Sequence, residues 1–167
     1  FAQFGVFGEA LSDGQALGWL RNSLVVALGT AVVSVGLGLP LAYALSRFSF
    51  WGKVLIIVVL LFTQMLPEAL MVVPLFALFN RFGLLDSLHG LALANAAFVL
   101  PVVALILKGA IDNVPRELEE AARVDGGRPL TVLTRINIPL IMPSIAATAV
   151  IAFFHAWNEY VFAVTFI

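Results

Sequence analysis

Four long apolar stretches, separated by short polar segments, set the pattern of this chain. An α-helix rises about 1.5 Å per residue, so about 20 consecutive apolar residues are needed to cross the hydrocarbon core of a bilayer. Four segments are long enough, and they cover approximately residues 23–45, 54–79, 88–107 and 143–167. The pattern predicts an all-α fold, a polytopic transmembrane helical bundle with about four spans.

Prolines interrupt two of the predicted spans. Pro67 and Pro74 lie within the second span, and Pro101 lies within the third. Proline removes a backbone donor and clashes with the preceding turn of a helix. We therefore expect Pro67 and Pro74 to kink or break the second helix, which would either open a cavity at that level or serve packing alone.

Basic residues indicate the orientation, because short cytoplasmic loops are enriched in Lys and Arg. Arg47 and Lys53 lie between the first two spans, and five more basic residues lie in the polar segment 108–139 between the third and fourth. Two spans separate these loops, so we predict that both are cytoplasmic and that residues 1–21 are external. An external start without a signal peptide predicts a further span upstream, and we expect the chain to be a fragment.

The composition excludes several classes of protein. The chain is 62% hydrophobic and 11% charged, whereas soluble domains average about 45–50% and about 25%. It contains no cysteine, and its two histidines are too far apart for a metal site, so we predict neither a catalytic nor a metal centre. It has no glycine-rich phosphate loop, and its basic residues are too few to indicate nucleic acid binding. The composition predicts a membrane protein in contact with lipid.

The longest hydrophilic stretch, residues 108–139, is patterned as two short helices. Asn113 can cap the first helix, with Pro115 in its first turn, where proline is tolerated. Gly126-Gly127 is expected to end that helix, because glycine accepts the left-handed conformation of a helix stop. The second helix is expected over residues 129–136.

Charged residues support the first of these short helices. Arg116–Glu120 and Glu119–Arg123 are spaced i,i+4, and each such pair contributes about 0.2–0.5 kcal/mol. Two interpretations are open: a solvated connector at the membrane surface, or a rigid peg that docks into a groove on a soluble partner. In the second, the two alanines after Glu120 permit close approach, and the carboxylates of Glu119 and Glu120 could meet an arginine of that partner.

One motif in this stretch has a fixed spacing. Glu120-Ala121-Ala122 is followed after three residues by Gly126, and after nine more by Ile136-Asn137-Ile138-Pro139. The motif resembles the signature loop of binding-protein-dependent ABC importer permeases, with Ile138 where leucine is usual. In that family the loop is a coupling helix seated in a cleft of the ATPase subunit. The resemblance implies these ATPase-coupling residues: Glu119, Glu120, Ala121, Ala122, Asp125 and Gly126.

Further stretches resemble the sugar-importing, maltose-type branch of that family. They are Asn22-Ser23-Leu24, residues 42–48, Gln64-Met65-Leu66-Pro67, residues 115–120 and Ala156-Trp157-Asn158-Glu159-Tyr160. The resemblance implies a bacterial inner membrane location, with two ATPase subunits, a second related permease and an external solute-binding protein as partners. ATP and Mg would bind the ATPase subunits, so no cofactor is expected in this chain. Peptide and amino-acid importers share the loop, and an importer of another solute stays open.

Polar side chains on three predicted spans are expected to converge in the outer half of the bilayer. Counting residues along each helix places Glu68 and Glu159 at the same height, and His155 and Glu159 are i,i+4. A charge at the bilayer centre costs roughly 2.5–3.5 kcal/mol, so such groups usually face a cavity or a partner. They either line a translocation path or bond helix to helix. The candidates are Gln64, Glu68, Asn95, His155, Asn158 and Glu159.

The function predicted from these features is that of a permease subunit of an ATP-driven sugar importer that works by alternating access. This chain would perform no covalent chemistry. Two other classes of protein compete with that prediction. An ion-gradient-driven secondary transporter or channel would use Glu68, Glu159 or His155 as coupling groups, and a membrane scaffold would use the polar loop to hold another protein.

Overall fold

The computed structural model describes residues 15–167, so most of the predicted external segment 1–21 lies outside the described residues. All regular elements in the described part are helices, which confirms the predicted all-α class. One helix, Pro129–Leu140, includes a π-helical segment over Leu133–Asn137. The helices are α1 Gln15–Arg47, α2 Lys53–Thr63, α3 Glu68–Phe82, α4 Leu88–Asp112, α5 Arg116–Val124, α6 Pro129–Leu140, α7 Met142–Asn158 and α8 Val161–Phe166.

Two helices, α1 and α4, are each long and apolar enough to cross a membrane. Two further pairs pass the same test only when combined, and both are sharply bent. The α2–α3 pair bends by 107°, and the α6–α7 pair bends by 81°. Residues 15–167 therefore contain two candidate spans, or up to four if each bent pair forms one span.

The predicted second span is not one helix. Helix α2 ends at Thr63, and α3 begins at Glu68 directly after Pro67, whose backbone is extended with ψ 125°. Proline disfavours the helical conformation in the residue before it and cannot donate to the preceding turn, so the helix ends here. The expected break at Pro67 is confirmed. Pro74 lies inside α3, which continues to Phe82.

The predicted fourth span is also interrupted. Helix α7 ends at Asn158, and Glu159 is extended, with ψ 123°. A separate helix, α8, starts at Val161. The apolar stretch over residues 143–167 therefore contains two helices, and hydropathy does not register a helix end inside an apolar run.

Helices α1, α4 and α7 pack together as the centre of the fold. Small residues allow α1 and α4 to approach closely, as in other helix pairs in membranes. A Cβ atom at Gly38 would lie 2.9 Å from Cγ1 of Val103, and one at Gly29 would lie 3.3 Å from Cβ of Ala92. Helix α8 packs against α3 and α4 through Phe162 and Phe166, whereas α2 has no buried residue.

Candidate functional site

Helix α5, the predicted coupling helix, begins two residues later than an Asn113 cap requires. The residue that precedes its first turn is Pro115, with φ −57° and ψ 131°. Asn113 instead follows the last residue of α4, where Val114 donates its N–H to the Ile111 carbonyl at 3.0 Å. The prediction that Asn113 caps the coupling helix is therefore wrong, because the end of α4 includes this residue.

The end of α5 is the glycine stop that the sequence predicts. Gly126 has φ +84°, a left-handed conformation that favours glycine. Its N–H bonds the Arg123 carbonyl at 3.0 Å, and the N–H of Gly127 bonds the Ala122 carbonyl at 2.8 Å. These bonds satisfy carbonyls that the last turn leaves open. The expected stop at Gly126 is confirmed.

Glu119 faces the interior of the chain. Its side chain is 3% exposed, and its Oε1 accepts a hydrogen bond from Arg47 Nε at 2.6 Å. The expectation that this carboxylate meets an arginine of a partner does not match that position, because Arg47 of the same chain occupies it. The predicted Glu119–Arg123 pair is present at 3.8 Å, whereas the residues described here show no Arg116–Glu120 ion pair.

The structural role of Arg47 was not predicted from the sequence, where this residue served as a marker of topology and as part of the family-like stretch 42–48. The Arg47 guanidinium also donates through Nη2 to the carbonyls of Ile111, at 2.8 Å, and Val114, at 2.9 Å. Ser46 beside it donates to Asp112 at 2.5 Å. A single sequence carries only one hint of this arrangement, a basic residue at the end of an apolar helix.

The exposed surface of α5 combines charged side chains with small and apolar ones. Ala121 and Gly126 are exposed, Ala122 is half-buried, and Val124 has 88% of its surface exposed. Glu120 and Asp125 are exposed beside them. Five of the six predicted coupling residues therefore lie on or near the exposed surface of α5 and the turn that follows it. The sixth, Glu119, is buried and attaches the helix to Arg47.

A second candidate region is an open groove of about 550 Å³ between α3 and the α7–α8 break. The groove brings together four of the six polar residues predicted for the spans, Glu68, His155, Asn158 and Glu159. Glu68 Oε1 lies 3.8 Å from His155 Nε2. Tyr160 lies on the same groove and supplies an exposed ring. The groove thus offers carboxylate, imidazole and amide groups beside an aromatic surface.

The other two predicted residues lie outside this groove. Gln64 donates to the carbonyl of Phe98 at 3.0 Å and ties the α2–α3 turn to α4. Asn95 is 1% exposed and donates to the Leu91 carbonyl at 3.1 Å within α4. The predicted convergence therefore does not include Gln64 and Asn95, whose side chains bond backbone carbonyls of α4.

Glu159 does not share a helix face with His155, because α7 ends before it. Its Oε1 accepts from Phe162 N at 2.7 Å, and its Oε2 accepts from Ala163 N at 3.2 Å. A carboxylate that satisfies the free N–H groups of a first turn stabilises a helix start. Glu159 also lines a smaller cavity of about 230 Å³ that includes Trp19 and Trp157. Among residues 15–167, no group of three His, Asp or Glu side chains is placed to hold a metal ion.

Comparisons with known proteins agree with the signature in the polar loop. The family model described as a binding-protein-dependent transport system inner membrane component matches residues 34–167. A putative ABC transporter permease of Streptomyces antibioticus is 43% identical over 85% of this chain and 62% of its own length. The trehalose transport system permease SugB of Mycobacterium tuberculosis is 36% identical over 87% of this chain and 53% of its own length.

A solved structure shares the fold. It is the crystal structure of a bacterial ABC transporter involved in the import of the acidic polysaccharide alginate, with a TM-score of 0.78 and 26% identity. The match covers 88% of this chain and 51% of that one. The chain therefore spans about half of the solved chain and between half and two thirds of the two curated relatives.

Proposed function

Because this chain belongs to the family of binding-protein-dependent transport system inner membrane components, we propose that it is the membrane-embedded core of an ATP-driven importer subunit. One observation carries the proposal. The segment with the family's signature forms a short helix that ends in a left-handed glycine, and a buried ion pair fixes it to the ends of α1 and α4. A connector that only lies in solvent would not require this attachment to other helices.

The coupling step of the proposal concerns the free surface of α5. Glu120, Ala121, Ala122, Asp125 and Gly126 would seat in a cleft of an ATPase subunit, which binds ATP and Mg. The small side chains permit close approach of the two backbones, and the exposed carboxylates suit a basic cleft. When the ATPase subunits close on ATP, α5 moves with them. Its attachment carries that movement into the helices, so the cavity alternates between inward and outward access.

The partners proposed beyond the ATPase are a second, related permease and an external solute-binding protein. The exposure of helix α2 supports contact with a partner protein or with lipid, because none of its residues is buried within the described chain. Most of its side chains are aliphatic, as lipid contact and helix packing in a membrane require. The family description names an inner membrane component, which supports the bacterial inner membrane as the proposed location.

We further propose a sugar or oligosaccharide as the solute. The support is twofold: relatives carry sugar names, trehalose among them, and the open groove combines Glu68, Asn158 and His155 with the Tyr160 ring. Carboxylates and amides can bond sugar hydroxyls, and an aromatic ring can pack against the apolar face of a sugar. These residues would line one wall of the translocation path, and the second permease would supply the other.

The proposal is tested by purifying the full-length subunit together with the ATPase, permease and binding protein encoded beside it. In proteoliposomes the complex should hydrolyse ATP faster when the binding protein is loaded with sugar, and labelled sugar should enter. A complex that forms but shows neither stimulated hydrolysis nor uptake, with a panel of disaccharides, amino acids and peptides, would contradict the importer assignment. Uptake of a peptide or amino acid alone would contradict the sugar assignment and keep the importer.

A further inference from the structure

The Arg47 side chain joins three helices at one point. It is the last residue of α1, its Nε donates to Glu119 of α5, and its Nη2 donates to the Ile111 and Val114 carbonyls at the end of α4. The Arg47 and Glu119 side chains are 4% and 3% exposed. Residues 47 and 119 lie 72 positions apart, so this contact is a tertiary one.

Arginine suits this position for a geometric reason. Its guanidinium is planar and presents several donors in a fixed fork, so it can bond a carboxylate and two carbonyls at once. The Ile111 carbonyl lies in the last turn of α4, where it also accepts from Val114 N, and the Val114 carbonyl lies two residues past the end of that helix. A positive charge beside them is also favoured by the helix dipole. The three bonds together fix the direction of the side chain.

The remainder of α5 has little attachment to the body of the protein. Glu119 is the one buried residue of this helix, and its other side chains are exposed or half-buried. On its N-terminal side α5 continues from α4 through Val114, which is buried, and Pro115, and on its C-terminal side it ends at Gly126. The Glu119–Arg47 contact is therefore the side-chain link through which a displacement of α5 reaches α1 directly.

We propose that Arg47 is a positioning residue that clamps α5 to α1 and α4, so that the three helix ends move as one body. The inference rests on the proposed function, in which α5 is displaced by an ATPase. It adds a specific route for that displacement: from Glu119 through the guanidinium into α1, which packs on both α4 and α7. Without the clamp, α5 would still bind the ATPase but would move independently of the helices.

The experiment compares Arg47→Gln and Arg47→Lys in the complete transporter. Lysine keeps a positive charge near Glu119, but a single ammonium cannot reproduce the three directed bonds. Both variants should still copurify with the ATPase and hydrolyse ATP, while the solute imported per ATP falls at least about fivefold, the lower end of usual coupling between sites. The control is Arg81→Gln, the same substitution at an exposed arginine in the last turn of α3; its transport ratio should match the wild type.

A second measurement judges the clamp without ATP. The chain has no cysteine, so Val32→Cys on α1 and Glu117→Cys on α5, both exposed positions, can carry nitroxide labels. The distribution of distances between the two labels should be narrow when residue 47 is arginine, and it should broaden in the Arg47→Gln and Arg47→Lys variants. Wild-type transport ratios in both variants, or unchanged distance distributions, would overturn the inference. A wild-type complex without ATP-dependent uptake would instead contradict the proposed function, which separates the two failures.

Discussion

At the scale of single residues, Glu159 shows how an ionisable group can be needed at an apolar helix break. Its two carboxylate oxygens accept from Phe162 N and Ala163 N, and so close the start of α8. The same residue also lines the groove that contains Glu68 and His155. One residue therefore closes the start of a helix and lies at the candidate path.

Replacing Glu159 tests its contribution to the stability of the start of α8. Glu159→Ala removes both acceptors and should destabilise the protein by about 0.5–2 kcal/mol, the usual effect of losing a cap. Glu159→Gln keeps one acceptor oxygen and should recover part of that loss. Thermal unfolding of the purified complex measures the effect, and an alanine variant as stable as the wild type would contradict the capping role.

Gly126 permits an equally specific test at this scale. A bulky residue with φ near +84° is strained by roughly 1–2 kcal/mol, so Gly126→Val should displace the end of α5. We expect the ATPase to dissociate or to lose its coupling to uptake. The control is Gly109→Val on α4, where an added Cβ meets nothing within 4 Å. Copurification of the ATPase and uptake of solute are measured for both variants. Wild-type values of both in the Gly126 variant would contradict the docking of α5.

At the scale of helices, the close packing of α1 on α4 depends on Gly38. A Cβ at this position would already lie 2.9 Å from Val103 Cγ1, so Gly38→Leu should overpack the contact and destabilise it by about 1–3 kcal/mol. Gly36 lies on the same helix with nothing within 4 Å, which makes Gly36→Leu a matched control. Yields of folded protein and unfolding temperatures should fall for the first variant only. Equal values for both would contradict this packing.

Features of the helices that depend on local chemistry were open to prediction from sequence. The break at Pro67 and the stop at Gly126 each follow from the backbone preference of one residue type. The end of α7 at Asn158 was missed, because the residues on both sides are apolar and the carboxylate that caps α8 is identified only by its contacts. The Arg47–Glu119 contact was missed because nothing local relates two positions in different helices.

The candidate site divides in the same way. The motif around Glu120 lies on a short helix, as the sequence predicts, and its role as a coupling helix stays a prediction. Gln64 and Asn95 were grouped with the groove because they lie at a suitable height along their helices. Height alone does not determine which way a side chain points, and both of these side chains bond a backbone carbonyl instead.

For the whole molecule, the open alternative is whether ATP or an ion gradient drives transport. A carboxylate–imidazole pair such as Glu68–His155 can also serve an ion-gradient-driven transporter, which would not require a clamped helix outside the core. The two mechanisms differ in what stops them. In proteoliposomes, uptake by the full complex should cease without ATP and continue when an ionophore dissipates the proton gradient. Uptake that needs no ATP and fails with the gradient would contradict the ATP-driven reading.

Cross-linking from the exposed surface of α5 can show directly whether this helix docks on an ATPase subunit. Ala121→Cys places one thiol on this surface in a chain that has no other, and Ala97→Cys places one on an exposed part of α4 as the matched control. In a transport-competent complex, the reagent at position 121 should capture the ATPase subunit, and the reagent at position 97 should not. Failure of position 121 to capture the ATPase while uptake proceeds would contradict the account.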